Sequence, residues 1–493
     1  MLACVAAAGF ACAASHKTII IRVNDLRAWS VTSVTLAHPG QEEQLNMRRL
    51  LLASALLCSA PWAFATDLMD AFRAAAAHDA TYSAARYALS AGEEKNEQAR
   101  ALWLPRLDLA ANSNYEMSNY KAGNPTDSDP SSNRHGATYG YSVTATQPVY
   151  DVSVSAGSTQ LQKEAAQAQV QWRQAQQDLV LRVAQAYFDV LAAQQKITLA
   201  EAQKQAVSEQ LAQAKKMFEV GTATITDTND AQARYDAIVA SEIAAQNDLD
   251  SKRNVFALLT ALDANALATP SPNQTPTPPD PPRVSDWLSM SVQHNANIEQ
   301  QALAVDIATA EIDKYRWQTA PTVSVVGSYG DRWDRSGISK STGIDTTTGG
   351  SIGLQLSVPL YTGGNRSSQY RAAIATREQQ RDLLEAARRT ANQQVTTAFL
   401  GVQSGAAQIQ SLNQAVKSSA SSLESTRVGR QVGVRTTVDV LNAEQTYFQA
   451  RYDLEVARYQ YLLSRLQLAA AAGTLDFPEL ETVNRWLIQD KNN

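Results

Sequence analysis

Cysteine is nearly absent from this chain of 493 residues, and its three cysteines, Cys4, Cys12 and Cys58, all lie near the amino terminus. A disulfide scaffold, a zinc–thiolate centre and a thiol enzyme are therefore excluded for the chain beyond Cys58. Basic tracts are also absent: residues 66–493 carry 38 basic and 45 acidic side chains, a formal charge of −7. This balance disfavours nucleic acid as a partner. After residue 65, no apolar run is long enough to span a bilayer, so we expect no transmembrane helix in that part of the chain.

The sequence predicts a secretory signal peptide at 47–65. A second start methionine is followed by Arg48 and Arg49, then by an apolar run and by small residues that end at Ala65. This order of basic, apolar and small segments is typical of an export signal with its cleavage site. We therefore expect cleavage between Ala65 and Thr66 and an exported mature chain.

The segment before this signal, residues 1–46, has an apolar run but no basic residue ahead of it. We interpret it as a mis-assigned upstream start. Cys58 is the one candidate for a lipid anchor. Because the residue before it is Leu57 rather than a small residue, we expect no lipidation.

Glycine and proline are missing from unusually long stretches. Residues 158–220 contain neither, which is enough for a helix of about 95 Å at 1.5 Å per residue. Alanine and glutamine are by far the commonest residues of this stretch, and the few large apolar side chains form narrow stripes that suit a helix touching two neighbours. A tube wall and an exposed coiled coil both fit this pattern. The sequence predicts long helices at 157–220, 227–263, 366–430 and 437–472.

The chain also repeats itself in two halves. Tyr150 matches Tyr361 at an offset of 211 residues. The Val-Gly pair that ends at Gly221 matches the pair that ends at Gly433 at an offset of 212 residues. Between the halves, more than half of the positions in 270–282 are proline, which favours an extended connector that we call the strap. We predict a first structural repeat at 66–269, the strap at 270–282, a second structural repeat at 283–480 and a C-terminal tail at 481–493.

Before the long helices, each half carries two segments with period-two alternation. In the first, Leu107 and Leu109 alternate with Asp108. One apolar and one polar face over about ten residues is the pattern of a membrane barrel wall. Four strands cannot close a barrel that spans lipid, so copies of the chain must pool their strands. Two, three or four copies all remain open on this arithmetic. The predicted strands are 106–119, 137–149, 322–331 and 350–360.

Taken together, these features resemble the TolC family of outer-membrane efflux and type I secretion channels. The motifs that carry the resemblance are repeated between the halves. They lie at 148–151 and 358–364 and at 220–227 and 432–441. The most specific of them is VGVRTTVDVL at 432–441. The resemblance implies a mostly α fold with a membrane β part and duplicated β-β-α-α halves. It also implies a homotrimer in the outer membrane of a Gram-negative bacterium, with a 12-stranded β-barrel continued by a 12-helix α-barrel in the periplasm.

The resemblance places function at the two turns around Gly221 and Gly433, which we call the tip turns. In the family, links between neighbouring helices hold this periplasmic end closed. Thr226 and Asp227 match the acceptors of such a link, and Arg435 matches the arginine that binds them. We call these links the latch.

Asp439 matches the first of two aspartates that line the narrowest opening in the family. The second falls on Asn442, and a tyrosine of the latch falls on Arg430. From this we expect three Asp439 carboxylates to raise one another's pKa and to attract cations. We also expect Arg430 to pair with Asp227 in place of the tyrosine.

A channel needs no reactive group, and the mature sequence offers none. Its three histidines, His78, His135 and His294, are isolated, and no phosphate loop, zinc motif or serine elbow occurs. We therefore expect no enzyme activity, cofactor or metal. The resemblance implies a periplasmic adaptor and an inner-membrane ABC or proton-driven pump as partners. The alternative function is a trimeric coiled-coil structural or adhesive outer-membrane protein without a transport role.

Overall fold

The computed structural model describes residues 66–120, 132–271, 274–317, 319–335, 338 and 343–487. The leader predicted for residues 1–65, with its cleavage-site residue Ala65, lies outside the described residues. So does the end of the predicted tail, residues 488–493.

Helices dominate the described chain, and they flank two pairs of strands. The helices are α1 Leu68–His78, α2 Ala80–Ala101, α3 Val152–Glu219, α4 Ile225–Thr260, α5 Val284–His294, α6 Ala296–Tyr315, α7 Asn365–Gln431, α8 Thr437–Ala472 and α9 Phe477–Arg485. The strands are β1 Arg106–Tyr120, β2 Ser132–Tyr150, β3 Thr322–Arg335 and β4 Ile344–Ser357. Within the described residues, no helix combines the length and the apolar character needed to cross a membrane.

The long helix α3 begins at Val152, earlier than the predicted boundary at 157. Its start is set by Asp151, whose carboxylate accepts hydrogen bonds from the backbone N–H groups of Ser153 at 2.7 Å and Val154 at 3.3 Å. Such an N-cap satisfies helix donors that otherwise have no partner. Gly157 therefore lies inside α3, which begins before the approximate predicted boundary.

Each half contains two helices before its strands, so the repeat is α-α-β-β-α-α and the predicted β-β-α-α order was incomplete. The shorter helices were not predicted, although the stretch 283–320, which contains α5 and α6, is as free of glycine and proline as the stretches that predicted the long helices. Their start signals are nevertheless present in the sequence. Asp79 accepts from Thr81 N at 3.0 Å at the start of α2, and Asn295 accepts from Asn297 N at 3.0 Å at the start of α6.

The four strands form one antiparallel sheet in the order β1-β2-β3-β4. Strands β2 and β3, which belong to different halves, pair with each other, for example Val143 with Tyr329. Within the described sheet, the outer edges of β1 and β4 have no strand beside them. The sheet is thus open at both edges.

The register places apolar residues on one face of the sheet. Leu107 pairs with Ala145, and Leu354 pairs with Val325. Several of these side chains are far more exposed than core residues, with Ile352 82 % exposed. The opposite face is polar: Ser328 and Ser351 pair there, with their hydroxyl oxygens 2.9 Å apart. The alternation that predicted the strands therefore separates two chemically distinct faces.

The main apolar core joins α1, α3, α4, α7, α8 and α9. At its centre the Tyr187 side chain is fully buried, and its hydroxyl lies 2.9 Å from the carbonyl oxygen of Thr66 and 2.8 Å from that of Ala268. Burial raises the pKa of the Tyr187 phenol far above its usual value. Phe188 stacks on Tyr459 with ring centroids 5.9 Å apart. This core ties the start of the described chain to the long helices.

The strap lies against α8. The Tyr461 hydroxyl donates to the Thr277 carbonyl at 2.8 Å and accepts from the Thr277 N–H at 3.0 Å. The Trp287 indole N–H donates to the Pro281 carbonyl at 2.8 Å. A proline-rich segment has few N–H groups of its own, so these side chains provide the hydrogen bonds that fix it in place.

The C-terminus of α8 abuts the junction of α5 and α6. The Ala471 carbonyl accepts from the Ser291 hydroxyl and the Asn295 side-chain amide, each at 2.9 Å. Gly473 ends the helix with φ of +76°, and a Cβ there would lie 2.2 Å from the carbonyl oxygen of His294. Only glycine fits both the left-handed backbone and this close approach.

Candidate functional site

The tip turns join α3 to α4 and α7 to α8 through matching backbone geometry. Gly221 and Gly433 have φ of +73° and +81°. In the first turn, Thr222 N donates to Met217 O at 2.8 Å, and in the second, Val434 N donates to Gly429 O at 2.9 Å. A left-handed glycine followed by this bond is the Schellman ending of a helix. The duplicated Val-Gly pairs therefore stop two long helices in the same way.

Each turn then starts the next helix with a capping box. At α4, the Asp227 carboxylate accepts from the backbone N–H of Thr224 at 3.0 Å and from its hydroxyl at 2.8 Å, while Asp227 N donates to the Thr224 hydroxyl at 3.2 Å. At α8, Asp439 and Thr436 make the same three bonds at 2.8, 2.9 and 3.2 Å. These reciprocal bonds satisfy helix donors at both ends of the box. Both predicted site aspartates are thus held as helix caps.

The capping boxes also decide the charge of these carboxylates. The backbone N–H of Thr436, followed by its hydroxyl, lowers the pKa of Asp439 below the ordinary value of 3.8, and the charge of Arg435 adds a smaller lowering. Thr224 lowers the pKa of Asp227 in the same way. Within one chain the pKa of Asp439 is therefore lowered, because hydrogen bonds to the ionised form favour it. The raising expected for a ring comes from the carboxylates of other copies and stays a prediction.

The predicted latch residues do not meet within one chain. Thr226 and Arg435 are exposed, and among the described residues no salt bridge joins Arg435 to Asp227. Gly429 leaves room for the Arg435 side chain, since a Cβ at Gly429 would lie 2.8 Å from Arg435 Cγ. The guanidinium at the second turn is thus available to an acceptor outside its own helix pair.

Arg430 contacts a different partner from the one expected. Its Nη1 donates to Oε1 of Gln210, a buried residue of α3, at 3.1 Å. The expected pairing with Asp227 is not made in the chain, because both hydrogen bonds to Oδ2 of Asp227 come from its own cap. Arg430 therefore connects α7 to α3 near the tip.

Asn442 is also engaged. Arg234 on α4 donates from Nη1 to Oδ1 of Asn442 on α8 at 3.0 Å. The two residues are far apart in the chain, so no local motif pointed to this contact. The bond ties the first helix pair to the second.

A further ion pair crosses from α7 to α8. Arg427 Nη2 lies 2.8 Å from Glu444 Oε1, and Glu444 is only 5 % exposed. A buried carboxylate needs such a partner because its desolvation is costly. The one signal in the sequence for this pair is its position on either side of the Gly433 turn, which folds α7 back against α8. Among the described residues no group of His, Cys, Asp and Glu side chains is arranged to hold a metal ion.

Comparisons with known proteins agree with this architecture. The profile of the family described as Outer membrane efflux protein matches residues 72–262 and 287–474. Outer membrane protein TolC of Vibrio cholerae is 32 % identical over 440 residues, covering 89 % of this chain and 98 % of the relative. Proteases secretion protein PrtF of Dickeya chrysanthemi is 31 % identical over 452 residues, covering 90 % and 96 %. Both relatives are named as an outer-membrane or a secretion protein rather than as an enzyme.

Solved structures show the same fold. The CmeC outer membrane channel of Campylobacter jejuni superposes with a TM-score of 0.71 at 13 % identity, covering 94 % of each chain. The outer membrane protein VceC of Vibrio cholerae gives a TM-score of 0.69 at 19 % identity, covering 83 % of this chain and 97 % of that one. The profile match over both halves, the 32 % identity and the shared fold lead to one conclusion. The chain belongs to the outer membrane efflux protein family, and it is an outer-membrane exit duct for efflux or type I secretion.

Proposed function

We propose that three copies of this chain close one continuous duct, with a 12-stranded barrel in the outer membrane and a 12-helix tube below it in the periplasm. The observation that most directly supports closure by several copies is the open sheet, which within the described residues has an exposed apolar face and two unpaired edges. The number three follows from the resemblance to the family. Lipid accepts an apolar face but not unpaired backbone groups. Pairing β4 of one copy with β1 of the next satisfies both edges.

Introduced cysteines test this pairing without interference, since residues 66–493 contain none. One cysteine on β1, at Ala110, and one on β4, at Ile352, Gly353 or Leu354 in turn, scan the contact in outer-membrane preparations. A matched control carries both cysteines on β2 and β3, which pair within the chain. The proposal predicts disulfide-linked species that end at three chains for the edge pairs and only monomers for the control. Species of two or four chains as the end point contradict the trimer.

We further propose that the tip turns form the closed end of the duct. Three copies of Asp439 line the narrowest opening, with Asn442 one helical turn further along α8. Three copies of the latch, in which Arg435 of one helix pair binds Thr226 and Asp227 of a neighbouring pair, hold it shut. This assignment is supported by the ionised, capped carboxylates and by the unpaired guanidinium described above. An exposed pair of this kind contributes only about 0.2–1 kcal/mol, so a partner can open the latch.

The gate assignment also predicts selectivity. A single ring of carboxylates attracts cations, and Asn442 removes the charge of the second ring. In planar bilayers, we expect Asp439→Asn to abolish block by a trivalent cation, whereas Asp227→Asn should leave block intact and raise conductance. Equal block in Asp439→Asn and the parent channel contradicts the ring.

A duct of this kind requires an energy source elsewhere, because its sequence offers no phosphate-binding loop with which to hydrolyse a nucleotide. We propose a periplasmic adaptor that contacts the helices near the tip turns, and an inner-membrane pump of the ABC or proton-driven class. Crosslinking in cells followed by identification of the bound proteins distinguishes the two pump classes. Recovery of neither an adaptor nor a pump from cells that export cargo contradicts the proposal.

A further inference from the structure

The short helix α6 and its counterpart in the first half, α2, differ in what they contact. The caps Asp79 and Asn295 put residues of α2 and α6 in correspondence at an offset of 216, and residues of α3 and α7 correspond at 212. Helix α6 packs against two long helices, α3 and α7, whereas the only long helix against which α2 packs extensively is α3. Within the described chain, α2 and α7 therefore each lack a contact that their counterparts make.

The exposure of equivalent residues shows which sides of α2 and α7 are uncovered. Leu303 of α6 is partly buried, but its equivalent on α2, Tyr87, is 67 % exposed. Val170 of α3 is 3 % exposed, but its equivalent on α7, Asp382, is exposed. One turn before Val170, the side-chain amide of Gln167 donates to a backbone carbonyl of α6. The side of α3 that α6 covers is thus uncovered on α7, and we call the uncovered sides of α2 and α7 the bare flanks.

The contact between α3 and α6 provides a register for the bare flanks. In that contact Arg173 pairs with Glu299, and a second ion pair shows that the two helices run antiparallel. The equivalent positions, which we call the reference positions, are Glu385 on α7 and Ser83 on α2. If α2 of another copy lies on α7 in this register, each step toward the N-terminus of α7 matches one step toward the C-terminus of α2.

The charges on the bare flanks are complementary in this register. Three residues from the reference positions Asp382 lies opposite Arg86, and fourteen residues from them Arg371 lies opposite Glu97. All four side chains are exposed. Within the described chain, no ion pair is made by Arg86, Arg371 or Asp382, and Glu97 pairs only with Arg100 of its own helix, at 3.6 Å. Two charged pairs of opposite polarity therefore match at the same spacing on both helices.

The strand order leads to the same neighbours. Within the chain, β3 follows α6 and β2 precedes α3, and these two strands pair. In the same way β1 follows α2 and β4 precedes α7, and each has an open edge in the described sheet. A second copy that joins its β1 to β4 therefore brings its α2 to α7, just as the pairing of β2 with β3 accompanies the contact of α3 with α6.

We propose that the bare flank of α7 binds α2 of a second copy of this chain, in the register set by the pairs Arg86–Asp382 and Glu97–Arg371. Tyr87 is covered in this contact. The contact rests on the ring of copies proposed above and adds to it the helices and charges through which neighbours recognise each other. Exposed ion pairs add little affinity, but like charges placed opposite each other reject a wrong partner or register.

Introduced cysteines test the register, since the described residues include none. Ser90→Cys on α2 and Ala375→Cys on α7 occupy the positions equivalent to the ion pair of Asp306 with Lys163. A short bismaleimide added to outer-membrane preparations should therefore link different chains through this pair. Ser90→Cys combined with Ala386→Cys is the matched control, because its second cysteine lies about 16 Å further along α7. The control should remain monomeric.

The crosslinks separate this contact from the ring itself. If the cysteines on β1 and β4 link three chains but Ser90→Cys with Ala375→Cys links none, the contact of α2 with α7 is wrong and the ring stands. If neither pair links chains, the ring fails and the contact fails with it. Equal linking of the control pair refutes the register.

The ion pairs are tested by exchanging their charges. A fourfold variant, with Arg86→Glu, Glu97→Arg, Arg371→Glu and Asp382→Arg, keeps both pairs complementary among its own copies but opposes like charges to the parent chain. Co-expressed with a differently tagged parent, it should form mixed oligomers roughly threefold less often than random mixing gives, because both pairs become repulsive. Random mixing refutes the ion pairs.

A partial exchange provides the second measurement. Reversing only Arg86 and Glu97 makes both pairs like-charged in every contact, so it should lower the temperature at which the oligomer dissociates on gels. The fourfold variant should regain the parent temperature. Helical circular dichroism checks that both variants fold. A partial exchange that dissociates like the parent, or a fourfold variant that does not recover, contradicts recognition through these pairs.

Discussion

At the scale of single residues, the aspartates of the tip have two tasks. Asp439 caps α8 through Oδ2, and among the described residues no hydrogen bond to its other carboxylate oxygen is found, so in the proposed gate that oxygen faces a cation or a guanidinium. A substitution at this position therefore changes the start of the helix as well as the charge. Asparagine keeps a side-chain acceptor and is the better comparison with the parent than alanine.

The lowered pKa of Asp439 predicts how cation block depends on pH. Its hydrogen bonds to Thr436 stabilise the ionised form, so the contribution of the cap to stability is present above the ordinary pKa of 3.8 and is lost as the pH falls through the lower folded value. Block should therefore persist to lower pH than it would in the same ring without the cap. Thr436→Ala removes the hydroxyl donor and should move the loss of block to higher pH in bilayer titrations. Thr436→Ser is the control that should restore the parent curve.

Arg435 and Arg430 should differ in the effect of their loss. Arg435→Ser removes a proposed link between helix pairs and should raise single-channel conductance, because nothing else in the described chain holds that guanidinium. Arg430→Ser removes a bond to Gln210 within the chain, so its main effect should be looser packing of α7 on α3. Bilayer conductance and hydrogen exchange at residues 205–215 separate the two outcomes. Equal conductance changes would refute this division of roles.

The residue contacts of the tip were the least accessible to sequence reasoning. The Arg234–Asn442 bond depends on how two helices from different halves align, and the sequence contains no rule for that alignment. The Thr-x-x-Asp pattern at Thr224 and at Thr436 is that of a capping box, so the caps themselves are predictable from the sequence. The resemblance had already assigned Asp227 and Asp439 to the latch and the gate.

At the scale of elements, the sequence predicted the long helices and strands but not the short helices. Long stretches without glycine or proline and period-two alternation are strong local patterns, and they identified α3, α4, α7 and α8. Helices α2 and α6 are of ordinary length and pack against these long helices, so tertiary contacts stabilise them as much as local pattern does. Their caps, Asp79 and Asn295, and for α6 the absence of glycine and proline from 283–320, were the available signals.

Two glycines that end helices offer a matched test at this scale. Both have positive φ, but a Cβ at Gly433 meets nothing within 4 Å, whereas a Cβ at Gly473 meets the His294 carbonyl at 2.2 Å. Gly433→Ala should cost about 1–2 kcal/mol from backbone strain alone. Gly473→Ala should cost clearly more, because α8 must also move away from the α5–α6 junction. Thermal unfolding followed by helical circular dichroism measures both, and equal losses would contradict the packing argument.

At the scale of the whole molecule, the Tyr461 hydroxyl makes two of the hydrogen bonds that hold the strap in place. Tyr461→Phe removes both hydrogen bonds to Thr277 while keeping the ring against Trp486. We expect about 1–3 kcal/mol of lost stability and faster proteolysis within 274–283. Tyr447→Phe on the same helix is the control, since no hydrogen bond of its hydroxyl is found among the described residues. Equal proteolysis of the two variants would show that the strap is fixed by other contacts.

The pairing of β2 with β3 has a consequence for the origin of the molecule. Within the chain this pair joins the two halves, and in a three-copy duct the pair of β4 with the next β1 would join neighbouring chains by the same antiparallel contact. A half-length ancestor could therefore have built the same wall as a ring of six. Gene fusion through the strap would then halve the number of chains that must find one another, and it would let the two halves diverge.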